Sequence, residues 1–520
     1  MNRVLLFLIM TVSIFGMEKY DRKSISVTKM SVSDKAAEVV TLEEVRKGQY
    51  ELMERLRTLG RFDFNPIPSG INDPKRLFEI VKEYTETKID ERAERQWDIK
   101  NDFYGSNFIS GENVDKIING TYLFFPKLTL FTMVYDKDKN EYSCALEMKM
   151  KVYSAINKGT PENPNWEPKL IKEIEALGSN YNPLTGGSKN RKDASSLAYL
   201  TMLELMVKEL KTLDQFKIKA ILTKADVNND KLTFDMGMKV GGIKIDDSYL
   251  VGYRKKKGGK DIFVETGYMK VRKVNSDESE AQLLIVTNPK DKNESELYTE
   301  YDQVIEYPKM GLNAILSFGI TGFRGWGEDY FINSLDKDDE YSYVSAFSLT
   351  GEYGLGRNLS ISELYAVANI EYNLLQDIKI RNNFNEKDEF SFSAFTYELG
   401  LRKKFYKRRS AFVAGVLFSY FGLGVDFGSL GEPDTDINPN ALTEDCYSYG
   451  GKLELGYEYL ISKDLFLQLM TGYRFMLNLT NSNGNEVGDS SGDQFSKKFY
   501  DDKFYTPNGF IAKLSIGYNI

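Results

Sequence analysis

Residues Asn508–Ile520 read "NGFIAKLSIGYNI" and alternate between two kinds of side chain. One parity, from Phe510 to Ile520, carries only apolar and aromatic groups, whereas the other carries Lys513 among Ile, Ser, Gly and Asn. Successive side chains of a β-strand point to opposite faces, so this period of two predicts a strand. One face of that strand is entirely apolar, and the fold must give it an apolar neighbour or an apolar solvent.

Seven further segments after Pro308 show the same alternation, each with one face free of charge. Together with the quoted stretch they contain 46 such positions, in a chain in which 28% of the residues are charged. One segment is apolar on both faces, because Val413, Leu417 and Phe421 occupy its second face. The segments begin at Leu312, Tyr343, Leu364, Ser393, Phe412, Tyr449 and Leu465.

The connections between the eight segments alternate in length. Short turns fall near residues 354–358, 403–410 and 462–464, and longer polar loops join the other segments. Short turns at one end, long loops at the other and an even strand number are typical of bacterial transmembrane β-barrels. Such a sheet must close, because no backbone polar group can stay unpaired in lipid. A soluble β-sandwich or a lipocalin-like barrel is the alternative, since alternation alone does not say which face is inside.

Residues 310–520, about 40% of the chain, resemble the eight-stranded outer-membrane barrel proteins of the OmpA, OmpX and OmpW type. This resemblance implies outer-membrane lipids and the barrel-assembly machinery as partners. It also implies an assembly signal in the last strand, for which Tyr518 and Ile520 are the candidates. Barrels of this type usually end in an aromatic residue, commonly Phe, whereas the quoted strand ends in Ile520.

The faces opposite the charge-free ones hold the candidate site residues. We predict that they form a charge network inside the barrel, because an eight-stranded barrel has just enough room for side chains to fill it. A narrow gated pore, or a catalytic carboxylate pair, is the alternative for the same residues. The predicted network consists of Glu352, Glu363, Glu371, Glu398, Arg402, Lys452, Glu454, Glu458, Arg474 and Lys513.

Aromatic residues near the ends of the charge-free faces indicate contact with the two membrane–water interfaces. The basic turn "KKFYKRR", residues 403–409, is expected to place its cations against lipid phosphates. A second basic stretch, residues 253–260, is predicted to form the tip of a hairpin. Its cations are expected to face solvent, and contact with lipid head groups or cell-wall polymer is the alternative. The predicted membrane-interface residues are Phe405, Tyr406, Tyr457, Tyr459, Phe510 and Tyr518.

The part before residue 310 is predicted to hold a signal peptide at 1–16, a flexible lead-in at 17–40, an α/β domain at 41–215 and a small β-rich module at 216–305. Thr41 and Glu44 match a helix capping box, and Pro74 suits the first position of a second helix. Residues 157–192 are rich in Gly, Pro, Asn and Lys and predict a long loop. Residues 110–290 faintly resemble periplasmic assembly modules of the curli-secretion CsgG type.

The composition argues against several kinds of catalytic, metal-binding and nucleic-acid-binding site. The chain has no histidine, so it lacks Ser-His-Asp and Cys-His arrangements and the usual zinc ligands. Its net charge of −8 gives no footprint for nucleic acid. Two distant cysteines, Cys144 and Cys446, are interpreted as free thiols. Asp136–Glu147 follows part of an EF-hand spacing but lacks the required glycine, and a polar hairpin turn is the preferred interpretation over a calcium site.

The predicted fold class is therefore an α+β periplasmic region followed by an all-β eight-stranded antiparallel transmembrane barrel. The predicted function is that of a non-enzymatic outer-membrane protein without cofactor or metal, active in envelope organisation, assembly or surface interaction. This hypothesis includes a periplasmic or cell-wall partner. The alternatives are a small-solute channel or secretion component, and a periplasmic ligand-binding or enzymatic domain on a barrel anchor.

Overall fold

The computed structural model describes residues 22–65, 74–87, 96–99, 107–110, 114, 122–160, 165–181, 186–238, 242–258, 260–288, 293, 297–324, 341–374, 378–381, 387–426, 443–477, 480–481 and 508–520. The predicted signal peptide and residues 17–21 of the predicted lead-in lie outside these residues. The rest of the lead-in, residues 22–40, differs from the predicted flexible segment, because it contains two short strands and a short helix. Within them, no helix is both long enough and apolar enough to cross a membrane.

The helices are few and lie mainly in the N-terminal part. They are α1 (Asp34–Ala37), α2 (Leu42–Thr58), α3 (Pro74–Glu86), α4 (Arg191–Thr212) and α5 (Gly356–Leu359), with a 3-10 turn at Val227–Asn229.

Strands before residue 310 form two separate sheets and one short ribbon. They are β1 (Lys23–Val27), β2 (Ser31–Val32), β3 (Phe62–Phe64), β4 (Gln96–Ile99), β5 (Asn107–Ser110), β6 (Tyr122–Asp136), β7 (Glu141–Asn157), β8 (Trp166–Ser179), β9 (Lys219–Asp226), β10 (Lys231–Phe234), β11 (Ser248–Lys257), β12 (Lys260–Val274), β13 (Ser279–Val286) and β14 (Gln303–Glu306).

Strands after residue 310 are longer. They are β15 (Leu312–Arg324), β16 (Tyr341–Gly354), β17 (Leu364–Leu374), β18 (Ile378–Arg381), β19 (Lys387–Lys407), β20 (Ser410–Asp426), β21 (Thr443–Leu460), β22 (Leu465–Met476), β23 (Thr480–Asn481) and β24 (Gly509–Asn519).

The N-terminal unit is a mixed sheet in the order β3-β1-β6-β7-β8, on which helices α2 and α4 pack. The predicted capping box is confirmed, because Thr41 and Glu44 each accept a backbone N–H of the other. The predicted long loop at 157–192 is wrong: strand β8 lies there and pairs with β7. The sequence hides this strand because its buried face is marked only by Ile174, Ala176 and Gly178, and half of its exposed positions are Lys or Glu.

Six strands of the next unit close into a small barrel in the order β10-β13-β12-β11-β14-β9. Its interior is apolar, with Leu232, Phe234, Val251 and Leu283 fully buried. Strand β14, which the alternation did not reveal, completes the closure between β9 and β11.

Eight strands after residue 310 close into a second, antiparallel barrel in the order β15-β16-β17-β19-β20-β21-β22-β24. The quoted strand completes it: β24 pairs with β15 from Thr321 opposite Ile511 to Asn313 opposite Asn519, and with β22 on its other side. The backbone N–H of Ile520 donates to the Leu312 carbonyl at 2.8 Å. The predicted eight-stranded antiparallel barrel is thus confirmed, and its three short turns lie at the end that carries residues 310 and 520.

Candidate functional site

Among the residues whose side chains the structure describes, ten charged ones lie inside the eight-stranded barrel, five acidic and five basic. The acids are Glu352, Glu371, Glu398, Glu454 and Glu458, and the bases are Arg402, Lys404, Lys452, Arg474 and Lys513. All are buried, and every one takes part in an ion pair within the group. The lumen described is therefore electrically balanced, as low-dielectric burial of charge requires.

Arg474 links two of the carboxylates at the centre of this network. Its guanidinium donates to Glu371 Oε1 at 3.0 Å and to Glu398 Oε1 at 2.7 Å. Lys513, the cation of the quoted strand, pairs with Glu371, and Lys452 pairs with Glu398. Lys452 and Arg474 lie directly opposite each other on β21 and β22, so these shared carboxylates also separate two like charges.

Nearer the short-turn end, Arg402 and Lys404 hold the other three carboxylates. Arg402 contacts Glu352 and Glu454, while Lys404 Nζ lies 2.8 Å from Glu352 and 2.7 Å from Glu458. Sequence reasoning missed Lys404. It lies in a run of adjacent cations, and only its parity with Arg402 indicates that it faces inward.

Neutral side chains complete the hydrogen bonding of the carboxylates. Asn313 Nδ2 donates to Glu352 at 2.7 Å, Asn369 Nδ2 to Glu398 at 2.8 Å and Gln468 Nε2 to Glu458 at 2.6 Å. Gly415 leaves room for Glu454, because a Cβ there would lie 2.6 Å from its Oε1. Buried carboxylates need several donors each, and these neighbours supply them.

Apolar side chains fill the part of the lumen farther from the short turns. Phe421 of β20, the segment that is apolar on both faces, is buried there with Ala394 and Ile511. Val413 and Leu417 of the same strand are buried beside the ionic network, opposite Lys404 and Lys452. The second apolar face of that strand therefore packs inside the barrel. Together with the ionic network, it occupies the lumen with packed side chains.

Glu363 was predicted to belong to the lumen, and this is wrong. It precedes β17 in a left-handed conformation (φ 53°), which breaks the alternation and turns its side chain toward the six-stranded barrel. There Arg272 Nη1 lies 2.7 Å and Lys270 Nζ 3.1 Å from Glu363 Oε1, and Tyr365 donates to Oε2 at 2.6 Å. Burial opposes ionisation, but Lys270 and Arg272 outweigh it and lower the pKa of Glu363.

Asp246 completes this second ionic cluster. Its carboxylate accepts from Arg272 at 2.6 Å and from the backbone N–H of Glu363 at 2.6 Å. Burial and the neighbouring negative charge of Glu363 raise the pKa of Asp246 to about 6, against the opposing effect of Arg272 and Lys270. The cluster joins the six-stranded barrel to the first short turn of the eight-stranded barrel.

The other two short turns contact the six-stranded barrel as well. Arg408 pairs with Asp230, and Lys463 Nζ lies 2.7 Å from Glu265. Apolar side chains pack between these polar contacts: Tyr268, Leu284 and Ile285 of the small barrel against Ile315, Leu460 and Phe466 of the large one. We call this set of contacts the seam. It is a packed interface that covers the short-turn end of the large barrel.

The seam continues into the N-terminal unit. Arg61, just before β3, is buried and forms a two-pronged ion pair with Glu306 of β14. Burial would lower the pKa of Arg61, but the charge of Glu306 raises it. The three units of the chain are thus linked in series by buried ion pairs.

The predicted membrane-interface residues divide into five that face outward and one that does not. Phe405, Tyr457, Tyr459, Phe510 and Tyr518 are exposed on the outer surface of the large barrel. Tyr406 differs from the prediction, because it shares the inward parity of Arg402 and its hydroxyl donates to Glu458. Phe510 and Tyr518 lie at opposite ends of β24, eight residues or about 26 Å apart along the strand.

The structure also describes the hairpin at Asp136–Glu147 and one of the two cysteine side chains. Asp136 caps a hairpin turn by accepting from the backbone of Asp138 at 3.0 Å, whereas Glu147 lies in the middle of β7. Within the residues described, no group of three or more metal-binding side chains comes together. Cys144 is a buried free thiol, and the side chain of Cys446 lies outside the description.

Comparison with known proteins finds solved barrel structures that match about 41% of the chain at low similarity. No family model and no curated protein matches the chain. Among solved structures, Neisserial surface protein A (NspA) matches at 8% identity and a TM-score of 0.26, over 41% of this chain and 100% of that one. The N-terminal β-barrel domain of Pseudomonas aeruginosa OprF matches at 9% and 0.21, over 41% and 99%.

Ail, the attachment invasion locus protein of Yersinia pestis, matches at 10% identity and a TM-score of 0.21, over 41% of this chain and 100% of that one. Because scores this low carry no argument about function, the fold assignment rests on the strand pairing itself. The resemblance of residues 110–290 to the CsgG type is not supported by these matches and stays a prediction.

Proposed function

We propose that this chain is a non-enzymatic outer-membrane protein, with the large barrel in the membrane and the two N-terminal units on the periplasmic side. The observation that carries the proposal is the outer surface of the large barrel. Large apolar side chains face outward on all eight strands, among them Leu316, Leu349, Leu399, Leu455 and Leu514, each more than half exposed. A water-soluble monomer rarely exposes a continuous apolar surface of this extent.

The charges on that outer surface fit the same proposal. Among the strand residues of the large barrel whose side chains the structure describes, the only outward-facing charged ones are Lys403 and Lys407, at the short-turn end of β19. A cation at the bilayer midplane costs about 2–4 kcal/mol, whereas one near the interface costs little. Lys403 lies 5.6 Å above the Phe405 ring, so a cation and an aromatic group share this rim.

The seam supports the proposed orientation. In bacterial barrels the short turns face the periplasm. Here all three short turns contact the six-stranded barrel, so the N-terminal units lie on the side of the short turns. We therefore place them in the periplasm, where they are held against the barrel rather than joined to it by a loose linker.

The filled lumen favours an anchor over a channel. The ion pairs and the apolar side chains described above occupy the interior, and Arg474, Glu371 and Glu458 are fully buried. We infer a role in envelope organisation, assembly or surface interaction, in which the barrel fixes the N-terminal units to the membrane. Lipids and the barrel-assembly machinery are the expected partners, with Tyr518 and Ile520 as the proposed assembly signal.

Membrane fractionation combined with heat-modifiable gel migration tests this proposal. We expect the chain in the outer-membrane fraction, with faster migration before boiling because the barrel stays folded in detergent. Purified protein is expected to give no steady conductance in planar bilayers. Recovery in the soluble periplasmic fraction would rule out the membrane assignment, whereas regular channel openings would favour the transport alternative.

A further inference from the structure

A cationic cleft of about 160 Å³ lies beside the seam, outside the networks described above. Helices α2 and α4, the loop around residues 242–247 and the short-turn end of β15 and β16 form its walls. The cleft is bounded on the barrel side by Leu312 and Tyr353, which both face outward from the large barrel.

The walls of the cleft carry a surplus of positive charge. Six basic residues face two acidic ones, and both acids already have partners: Glu204 lies 3.4 Å from Arg55, and Asp247 lies 3.1 Å from Arg357. Of the other four cations, Lys309 pairs with Asp464. Lys208, Lys211 and Lys244 remain, and within the described residues none of the three has an ion pair within 4 Å.

Lys211 is partly buried in the wall of the cleft. Burial and the nearby charge of Arg61 lower the pKa of Lys211 to about 8, although Asp247 and Glu306 act in the opposite direction. An anion bound beside Lys211 would act against both effects by favouring its protonated form.

A row of small residues lies on the outer surface of the large barrel, two residues along the strands from Leu312 and Tyr353. We call this row the groove, because larger side chains flank it on β15 and β16. Ala314, Gly351 and Ala368 lie side by side on β15, β16 and β17 and all face outward. A Cβ added at Gly351 would meet nothing closer than 4.0 Å, so the surface is open there. Leu316 and Leu349 follow on the same strands and continue the apolar surface.

We propose that the cleft binds the phosphate head group of an anionic phospholipid of the periplasmic leaflet, with one acyl chain along the groove. The lysines at 208, 211 and 244 supply the charge-assisted donors, and the row of small residues supplies the apolar track. A lipid fits better than a peptide, because the cationic cleft and the apolar groove are continuous with the lipid-facing surface. This inference rests on the proposed membrane location.

Native mass spectrometry of the full chain in detergent tests the site. The probes are phosphatidylglycerol, phosphatidylcholine and inorganic phosphate, each added separately. The variant Lys208→Gln/Lys211→Gln/Lys244→Gln removes the surplus charge. Lys169→Gln/Lys172→Gln/Lys192→Gln is the matched control, since these three lysines are exposed on the N-terminal unit away from the cleft.

We expect one phosphatidylglycerol to bind wild type and the control, and the cleft variant to bind it about 100-fold more weakly, since each cation near a lipid surface contributes roughly fivefold. The corresponding Arg variant at the three cleft positions should retain binding. Equal binding of phosphatidylglycerol by the cleft variant, or of phosphatidylcholine by wild type, would overturn the proposal. So would saturation by inorganic phosphate with no phosphatidylglycerol bound.

The same samples separate this inference from the proposed function. Heat-modifiable migration of wild type and both variants reports whether the barrel is folded. A folded, membrane-recovered protein without lipid preference would contradict the lipid site alone. A chain that never shows heat-modifiable migration and never enters membranes would contradict the membrane barrel itself.

Discussion

The chain contains two closed barrels with the same two-residue alternation along their strands. One barrel places the apolar face inside, and the other places it outside. The six-stranded barrel buries Leu232, Phe234 and Leu283 and exposes charged residues such as Lys224 and Lys255. The eight-stranded barrel buries Arg474 and Glu398 and exposes Leu316 and Leu469. Both obey the two-residue period of a strand, so the period fixes the strands but not the direction of the core.

The two barrels differ because their outer surfaces are suited to different solvents. Water suits charged exteriors and forces apolar groups inward, whereas lipid accepts only apolar exteriors and leaves the polar groups to pair inside. The seam is where the two arrangements meet. There the small barrel contributes an apolar patch and cations outside its core, and the large barrel contributes its turns and the base of its lumen.

The largest expected effect comes from unbalancing the inner network. Arg474→Met leaves Glu371 and Glu398 without their shared partner, and the loss of one side of a buried ion pair costs about 3–5 kcal/mol. Urea unfolding, followed by heat-modifiable migration, measures this loss. Adding Glu398→Gln to the same chain should recover most of it, because Glu371 then keeps Lys513 and Lys452 keeps Glu454. A single variant as stable as wild type would contradict the network's role.

A charge on the outer surface distinguishes the two barrels directly. Leu349→Arg places a cation in the middle of the lipid-facing band and should reduce stability in lipid by about 2–4 kcal/mol. The matched change Thr223→Arg, on the exposed surface of the small barrel, should alter it by less than about 0.5 kcal/mol. Equal effects, measured as urea midpoints in vesicles, would show that both surfaces face the same solvent.

The seam should weaken as pH rises, because the pKa of Asp246 is raised to about 6 in the folded chain. The folded chain then holds a proton that the unfolded chain releases at lower pH. The stability contributed by neutral Asp246 is present below pH 4 and is lost as pH rises through about 6, by up to about 3 kcal/mol.

Urea midpoints at pH 5, 6, 7 and 8 measure this effect. Glu363 has a lowered pKa and is ionised in both states above pH 5, so it adds no slope in this range. Asp246→Asn should flatten the profile between pH 5 and 7. An unchanged slope in that variant would assign the pH dependence to other groups.

The smallest expected effect concerns the second short turn. Arg408 and Asp230 are partly accessible to water, so Arg408→Ala should cost about 1 kcal/mol or less. Limited proteolysis of the turn between β19 and β20 measures it more sensitively than global unfolding. The neighbouring variant Lys407→Ala serves as the control, and a larger effect of that variant would mean that the ion pair does not fix the turn.

The large barrel could be predicted from the sequence because its faces differ so sharply in charge. The errors fall where that signal stops. Glu363 and Tyr406 lie at strand ends, where a left-handed residue or a run of "KKFYK" hides the phase. The inward orientation of Lys404 was not predicted for the same reason. Asn313, Asn369 and Gln468 share the inward parity, but their carboxylate partners depend on strand register, which the sequence does not state.

The seam could not be predicted, because it joins residues more than 90 positions apart whose side chains look like ordinary surface charges. Lys270 and Arg272 lie on the outside of the small barrel, where sequence reasoning expects water. The docking of the two barrels explains why Lys270 is buried and Arg272 is half-buried.

The central claim is that the large barrel faces lipid with its apolar side and the small barrel faces water. Fluorophore labels at Leu316→Cys and Thr223→Cys, in a Cys446→Ser background with Cys144 buried, test it by quenching from bromine atoms on lipid acyl chains. We predict strong quenching at position 316 and none at position 223. Equal, weak quenching at both positions would contradict the claim.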